Sequence, residues 1–504
     1  MARSERQLKL PLPGPSKADL LAAIRDRLDG YEIRQAAREA KRRESTRKRI
    51  QRSQRQEEDI IEDDPQFLIP GVESLTPVSE SDSSPGIQKT VLANGLRVIT
   101  EQMPHVRSVS IGFWVDAGSR HETDSESGIT HFIEHMVFKG TSKRTAEEIA
   151  CSIDAIGGHL DAFTTKESVV FTAKVLDEHL PRALDVVSDM VSDPLFRDED
   201  ITKEKGVVLE ELKMDEDNPD YLLQETFAKN FWKGHSLGRP IIGNKHTINR
   251  FNRSQLRRFF TRTYNPANLI VTAAGNLDHQ QFAQMIEERF QGIKAQRYKK
   301  PPDPPKANPA VVMRDKPSLE QAHVCLGVPT HRMADPRRYA SFVLNTVLGG
   351  GVSSRLFLKI RERAGLAYAV FSDFSLYADA GCLTVYAGTS VETAREVVEH
   401  VTAEFRNLKE KPVAGDELRR AKDHLKGSLL LSLESTSSRM SNLARQEKYL
   451  GRFLTLDEVG RNIEDVTAAQ VRDLAWEWFQ PNRIALAVLG NLGGLRIDRD
   501  SLAC

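Results

Sequence analysis

Two histidines and a glutamate fall within five residues, His131-Phe132-Ile133-Glu134-His135. On a helix, positions i and i+4 stand one turn apart on the same face. Both imidazoles can then reach one Zn²⁺ at about 2.0–2.1 Å, and Glu134 lies on nearly the same face, within reach of a water that the metal activates. Phe132, Ile133, Met136 and Val137 supply the packing that keeps such a helix rigid. A catalytic zinc takes a third protein ligand and leaves one position open. The segment Glu204 to Leu212, EKGVVLEEL, offers that ligand. Glu204 and Glu211 are two helical turns apart on one face, with Val207 and Val208 between them to pack inward. Glu210 points about 100° away from Glu211 and is the more natural solvent residue. Glu211 is therefore the expected ligand. Glu204 is the expected assisting carboxylate, hydrogen-bonded to a ligand or to the water. Two histidines and a carboxylate around an open position form a hydrolytic pattern, in which zinc lowers the pKa of a water and polarises a carbonyl. Glu134 takes the water proton and passes it to the leaving amine. The reaction class is amide hydrolysis, with one zinc ion per chain.

The elements around these residues read as strands and amphipathic helices in alternation. Lys89 to Glu101, KTVLANGLRVITE, has the pattern strand, Asn-Gly turn, strand, and Val106 to Ala117 is a further strand. Helices are expected over Ala146–Ile156, Leu180–Val191, Thr202–Met214, Arg337–Leu348 and Val391–Leu408. The text repeats itself. PANLIVTAAGNL at Pro266 to Leu277 parallels PNRIALAVLGNL at Pro481 to Leu492. HFIEHMVFKG at His131 to Gly140 parallels SFVLNTVLGG at Ser341 to Gly350 in its apolar positions only. Ser341, Leu344 and Asn345 stand where the first copy has His131, Glu134 and His135. One half thus carries the reactive groups and the other supports it. Hairpin signals beside the helices favour an α+β fold over a doubly wound parallel sheet.

The chain has 504 residues, with 71 Lys+Arg against 71 Asp+Glu. Zero net charge argues against bulk nucleic acid or an anionic membrane as the main partner. Four cysteines without a CxxC pair read as buried free thiols in a reducing compartment, not as a disulfide or thiolate-zinc framework. Residues 1–85 differ from the rest. Ser16–Leu28 is a short helical pattern, followed by a basic run from Arg34 to Arg55, an acidic run from Glu57 to Asp64, and a Ser/Pro stretch. This reads as a disordered charged extension. Residues 86–295 form the expected catalytic domain, 296–310 (five prolines) a linker, and 311–504 a homologous domain without metal ligands. No apolar run is long enough to span a bilayer and no signal-peptide core is present. The expected location is the cytoplasm, with the mitochondrial matrix as the alternative in a eukaryote.

At these residues the sequence resembles the inverted-motif zinc peptidases, whose signature is H-x-x-E-H. More narrowly it resembles the processing-peptidase branch: the β subunit of mitochondrial processing peptidase and its bacterial relatives. The resemblance runs from about Thr90 to Leu492 and includes LANGLRVITE, VDAGSRHE, GGHLDAFTTKES, HSLGRPIIG and TYNPANLIV. It implies two homologous sheet-plus-helix domains facing each other like a clam shell around a proteolytic chamber. It implies His131, His135 and Glu211 as zinc ligands, Glu134 as general base and Glu204 beside them. Arg361 and Tyr368, in RERAGLAY, would position substrate and stabilise the carbonyl oxyanion. The backbone around Asp161, Ala162 and Phe163 would pair with extended peptide as an added strand. Asp161 stands where the family usually has Asn, and a carboxylate cannot donate that amide's hydrogen bonds. Asp215, Glu216, Asp217 and Asp220 read as a solvated acidic loop. A homodimer, or a heterodimer with a related subunit, is the assembly implied.

Overall fold

The computed structural model describes residues 86–295 and 304–504. The extension 1–85, with its helical pattern at 16–28, and residues 296–303 of the linker lie outside the described residues.

In the first half, six strands form one sheet: β1 (Ile87–Val91), β2 (Arg97–Gln102), β3 (Ser108–Val115), β4 (His159–Thr164), β5 (Val169–Leu176) and β6 (Leu269–Gly275). Their order is β1-β2-β6-β3-β5-β4, antiparallel throughout except for the parallel pair β2/β6. Between and after them run α1 (Ile129–Val137), α2 (Ala146–Asp154), α3 (Leu180–Ser192), α4 (Asp198–Asp217), α5 (Pro219–Phe231), α6 (Lys245–Arg250), α7 (Arg253–Thr263) and α8 (His279–Phe290). The Asn94-Gly95 signal closes the β1–β2 hairpin, with Leu92 and Leu96 joined by a 2.9 Å backbone hydrogen bond.

The second half is built from β7 (Val311–Asp315), β8 (Ala322–Thr330), α9 (Arg338–Leu348), a π-helical stretch Phe357–Arg363, β9 (Ala367–Leu376), β10 (Gly381–Thr389), α10 (Ala394–Glu410), α11 (Gly415–Ser432), α12 (Thr436–Tyr449), α13 (Leu456–Glu464), α14 (Ala468–Trp478) and β11 (Ala485–Gly490). Its sheet has the order β7-β11-β8-β10-β9, with β7/β11 parallel and the rest antiparallel. That order repeats β2-β6-β3-β5-β4 strand for strand, with the parallel pair in the same place. The fold is α+β, and the two halves are copies of one pattern.

Each half lends a helix to the other. Leu222, Leu223, Phe227 and Phe231 of α5 pack on Cys325, Ala485, Ala487 and Leu489 of the second sheet. Leu443 of α12 packs on Ile99 and Ile270 of the first, and Met440 on Ala274. A glycine makes room under each crossing. A Cβ on Gly327 would stand 2.3 Å from the Phe227 ring, and one on Gly112 would stand 2.4 Å from Met440 Sδ. Burying each such Leu, Met or Phe contributes about 1.5–3 kcal/mol, so the halves share apolar cores as well as a surface.

Two expectations change. The acidic residues after Glu211 form no loop. Asp215 to Asp217 complete α4, and Asp220 lies in the first turn of α5. Only Asn218 separates the helices, because its side chain caps the amides of Asp220 and Tyr221 and Pro219 follows at the first position. Of the cysteines, Cys325 and Cys382 are buried, whereas Cys151 is exposed on α2. Among the described residues no helix is long and apolar enough to cross a membrane.

Candidate metal centre

α1 begins at Gly128, which has no side chain to cap it. Glu122 does that work from outside the helix: its carboxylate accepts from Gly128 N at 2.8 Å and Thr130 N at 2.9 Å. Burial pushes its carboxyl up to about 7. Phe132, Ile133, Met136 and Val137 are buried in the first core, with the Phe132 ring 5.4 Å from that of Phe251. This packing turns His131 and His135 to the opposite side, ring centroids 4.6 Å apart.

α4 crosses there. Ile201, Glu204 and Val208 are its buried residues, spaced three and four apart, and Glu211 continues the same stripe. Val207 does not pack inward as expected; it is 51% exposed, since it lies about 100° from Val208 around the helix. Glu210 faces solvent and pairs with Lys213 at 2.6 Å. Glu211 Oε1 is 3.7 Å from His131 Nε2, and Glu211 Oε2 is 3.5 Å from His135 Nε2. One ligand atom from each of the three residues lies within 4.8 Å of the others.

These three side chains fit a zinc ion. Tetrahedral ligands at about 2.0–2.1 Å stand about 3.4 Å apart, close to the two separations here. Glu211 Oε2 and His131 Nδ1 are buried without a hydrogen-bond partner. Burial, then the neighbouring His135, pulls His131 down to about 3, so its ring is a neutral lone-pair donor. Burial also raises Glu211, against the neighbouring His135, and among the described residues no lysine or arginine forms an ion pair with it.

Around the cluster, His135 Nδ1 is 2.9 Å from Glu204 Oε1, and Lys139 Nζ is 2.7 Å from Glu204 Oε2. Burial works against the Glu204 carboxylate, yet hydrogen bonds from His135 and Lys139 hold it below its ordinary value. Glu134 accepts from Thr164 Oγ1 at 2.5 Å. Burial pushes its carboxyl up to about 7, against that hydrogen bond. Thr164 ends β4, whose outer edge has no partner strand among the described residues. On β4, Asp161 and Phe163 point to the open face and Ala162 inward; Asp161 Oδ1 accepts from Ala162 N at 2.9 Å. Asp215, one turn beyond Glu211, is pushed up to about 6 by burial and by Glu211 and Glu225.

Arg361 and Tyr368 face each other in the second half. Arg361 lies in the π-helical stretch with its guanidinium 4.7 Å from the Tyr368 ring centre and 4.9 Å from that of Phe357. Tyr368 is skipped by the β9–β10 register, where Gly388 faces Ala369 and Thr389 faces Ala367. Such a bulge re-aims a side chain, and Tyr368 is 79% exposed. No hydrogen bond or ion pair among the described residues links either to His131, Glu134, His135 or Glu211. Sequence reasoning missed Lys139, Thr164 and Glu122. Lys139 carried a signal, one turn beyond His135 on the same face. Thr164 and Glu122 act through tertiary contacts that no local spacing announces.

A duplicated α+β fold with, among the described residues, one His₂Glu cluster, in the first copy, defines a class of metallopeptidase scaffold. The insulinase family (peptidase family M16) matches residues 97–245, and the peptidase M16 inactive domain matches 250–425. The zinc protease YmxG of Bacillus subtilis is 42% identical over 409 residues, 81% of this chain and 99% of its own length. A zinc protease of Streptomyces coelicolor is 40% identical over 422 residues, 82% of this chain and 91% of its own. The crystal structure of a Helicobacter pylori protease superposes with TM-score 0.75 at 22% identity, covering 81% of this chain and all of that one. The chain belongs to the M16 family of peptidases.

Proposed function

We propose that this chain is a zinc-dependent endopeptidase of the processing-peptidase type, acting on extended peptides or presequence-like segments. The observation that carries the reading is the Thr164–Glu134 hydrogen bond, which ties a carboxylate beside the His131/His135/Glu211 cluster to the unpaired edge of β4. His131, His135 and Glu211 would hold the zinc, which when bound would supply Lewis-acid chemistry at the scissile carbonyl and at a water. Glu134, buried beside the cluster and held by Thr164, is placed to take a water proton and return it to the leaving amine nitrogen. Glu204 orients His135 and stays ionised beside Lys139. The backbone of Asp161, Ala162 and Phe163 receives the substrate as an added antiparallel strand, which favours unfolded segments over folded proteins. Arg361 and Tyr368 position the substrate from the second half. The exposure of Tyr368, with no hydrogen bond or ion pair among the described residues from either side chain to the cluster, supports a homodimer, or a heterodimer with a related subunit, as the working assembly.

The test is cleavage of an unstructured basic peptide library with and without zinc, by wild type and by Glu134→Gln. Wild type cleaves only with zinc, and the variant binds zinc without cleaving. A chain that binds no zinc refutes the reading. Zinc binding without cleavage by wild type favours a silent scaffold subunit.

A further inference from the structure

Between β3 and α1, residues Ser119–His121 form a short 3-10 turn, and Arg120 and Glu122 within this stretch are buried. Glu122 holds the start of α1, as described. Arg120 reaches the turn between β4 and β5, donating to Glu167 Oε1 at 2.6 Å. The same guanidinium donates to both carboxylate oxygens of Asp379 in the second half, at 2.9 and 2.8 Å. Glu167 also accepts from Ala378 N, 3.2 Å from each oxygen, and from the Tyr449 hydroxyl at 2.7 Å. Lys448 donates to the Glu167 carbonyl at 2.8 Å and to Ser168 Oγ, and lies 3.2 Å from Asp116. The side chains of Arg120 and Glu167 are each only 6% exposed.

The β4–β5 turn is thus gripped from two sides. Gly118 presses on it so closely that a Cβ there would stand 2.4 Å from Thr165 O and 2.5 Å from Ser168 N. From the second half, Ala378, Lys448 and Tyr449 hold Glu167. This turn directly follows Thr164, the hydrogen-bond donor to Glu134. A buried ion pair is a weak source of net stability, so its value lies in the geometry it imposes.

We propose that Arg120 and Glu167 are positioning residues through which the second half of the chain sets the placement of Glu134. The proposal rests on the reading of Glu134 as the base. Two routes converge on α1. Glu167 acts through the turn and Thr164 on the Glu134 carboxylate. Arg120 acts through the two residues to Glu122 on the helix start. None of the residues of the grip is a metal ligand, so loosening it from the second half removes no ligand. The second half therefore governs turnover separately from metal binding.

The experiment uses the full-length, zinc-loaded chain with Glu167→Gln, Asp379→Asn and Tyr449→Phe, and Arg107→Ala as a control at the exposed Arg107–Asp177 pair. Metal content, kcat and KM on an unstructured peptide, and amide hydrogen exchange are measured. A 1 Å misplacement of a catalytic group costs about 10²-fold, so Glu167→Gln should keep zinc and lower kcat about 10- to 100-fold with KM within about threefold. Asp379→Asn and Tyr449→Phe show the same split, weaker. Exchange accelerates at 164–168 and not in the second sheet. The control changes none of these. Folded, zinc-loaded variants with wild-type kcat, or exchange rising uniformly along the chain, overturn the proposal. If Glu167→Gln fails to fold, the other two variants decide. If the wild type cleaves no peptide, the peptidase reading fails instead. Exchange in Asp379→Asn then tests the grip alone, and the absence of a local rise at 164–168 overturns it.

Discussion

His135 Nδ1 and Glu204 Oε1 stand 2.9 Å apart, with the ammonium of Lys139 2.7 Å from the other Glu204 oxygen. A carboxylate on the far ring nitrogen fixes the tautomer and raises the basicity of the nitrogen left for metal. Glu204→Gln is expected to weaken zinc binding about 10- to 100-fold, and Lys139→Ala by less, in chelator competition. Glu134→Gln should leave the affinity near wild type.

Zinc should stabilise the folded chain by mass action. At a thousandfold excess over its Kd, a ligand specific to the native state adds about 4 kcal/mol. The thermal midpoint of the chelator-treated protein should rise when zinc is returned. His131→Ala or Glu211→Gln should abolish that rise while leaving the far-ultraviolet dichroism unchanged.

Glu122 gives a pH dependence with a definite sign. Its folded carboxyl is raised by burial from 4.5 to about 7. Between those values the folded state keeps a proton that the unfolded chain has lost. The stabilising contribution is full below about pH 4.5 and disappears as pH rises through about 7, a swing on the order of 3 kcal/mol. Urea midpoints measured across this range should fall with pH in wild type. In Glu122→Gln this part of the slope should be missing.

The two glycines under the exchanged helices should differ. Gly327→Ala drives a Cβ into the Phe227 ring, which is itself held against Phe231 at 5.0 Å. Gly112→Ala meets the far end of Met440, a side chain that can rotate, and Trp114 Nε1. Overpacking of this kind costs about 1–3 kcal/mol. Gly327→Ala should sit at the upper end and Gly112→Ala at the lower, in denaturant unfolding.

Local spacing carried much of the site. Two histidines four apart must share a helix face, and a glutamate two turns from another must share one too; both pairings are consequences of the helical repeat. The strand pattern around Asn94-Gly95 and the Gly-Asn ends of the two copied strands were legible for the same reason, because turn chemistry is local. The same spacing left Val207 and Val208 undivided, since two adjacent residues can be separated only by knowing where the core lies.

What the sequence by itself determined is the chemistry available: His131, Glu134 and His135 on one helix face, a carboxylate pair on another, and a second copy without them. What only the tertiary structure decided is how these pieces meet. It set Glu211 beside both histidines, Thr164 on Glu134, Lys139 on Glu204, and Arg120 between Glu167 and Asp379, across separations of up to 259 residues. It also exchanged α5 and α12 between the sheets. The physical reason is that hydrogen bonds and ion pairs are short-ranged, while the periodicities that write helices and strands say nothing about which face of one element lies against another. That choice is made by burial of apolar area over the whole chain at once.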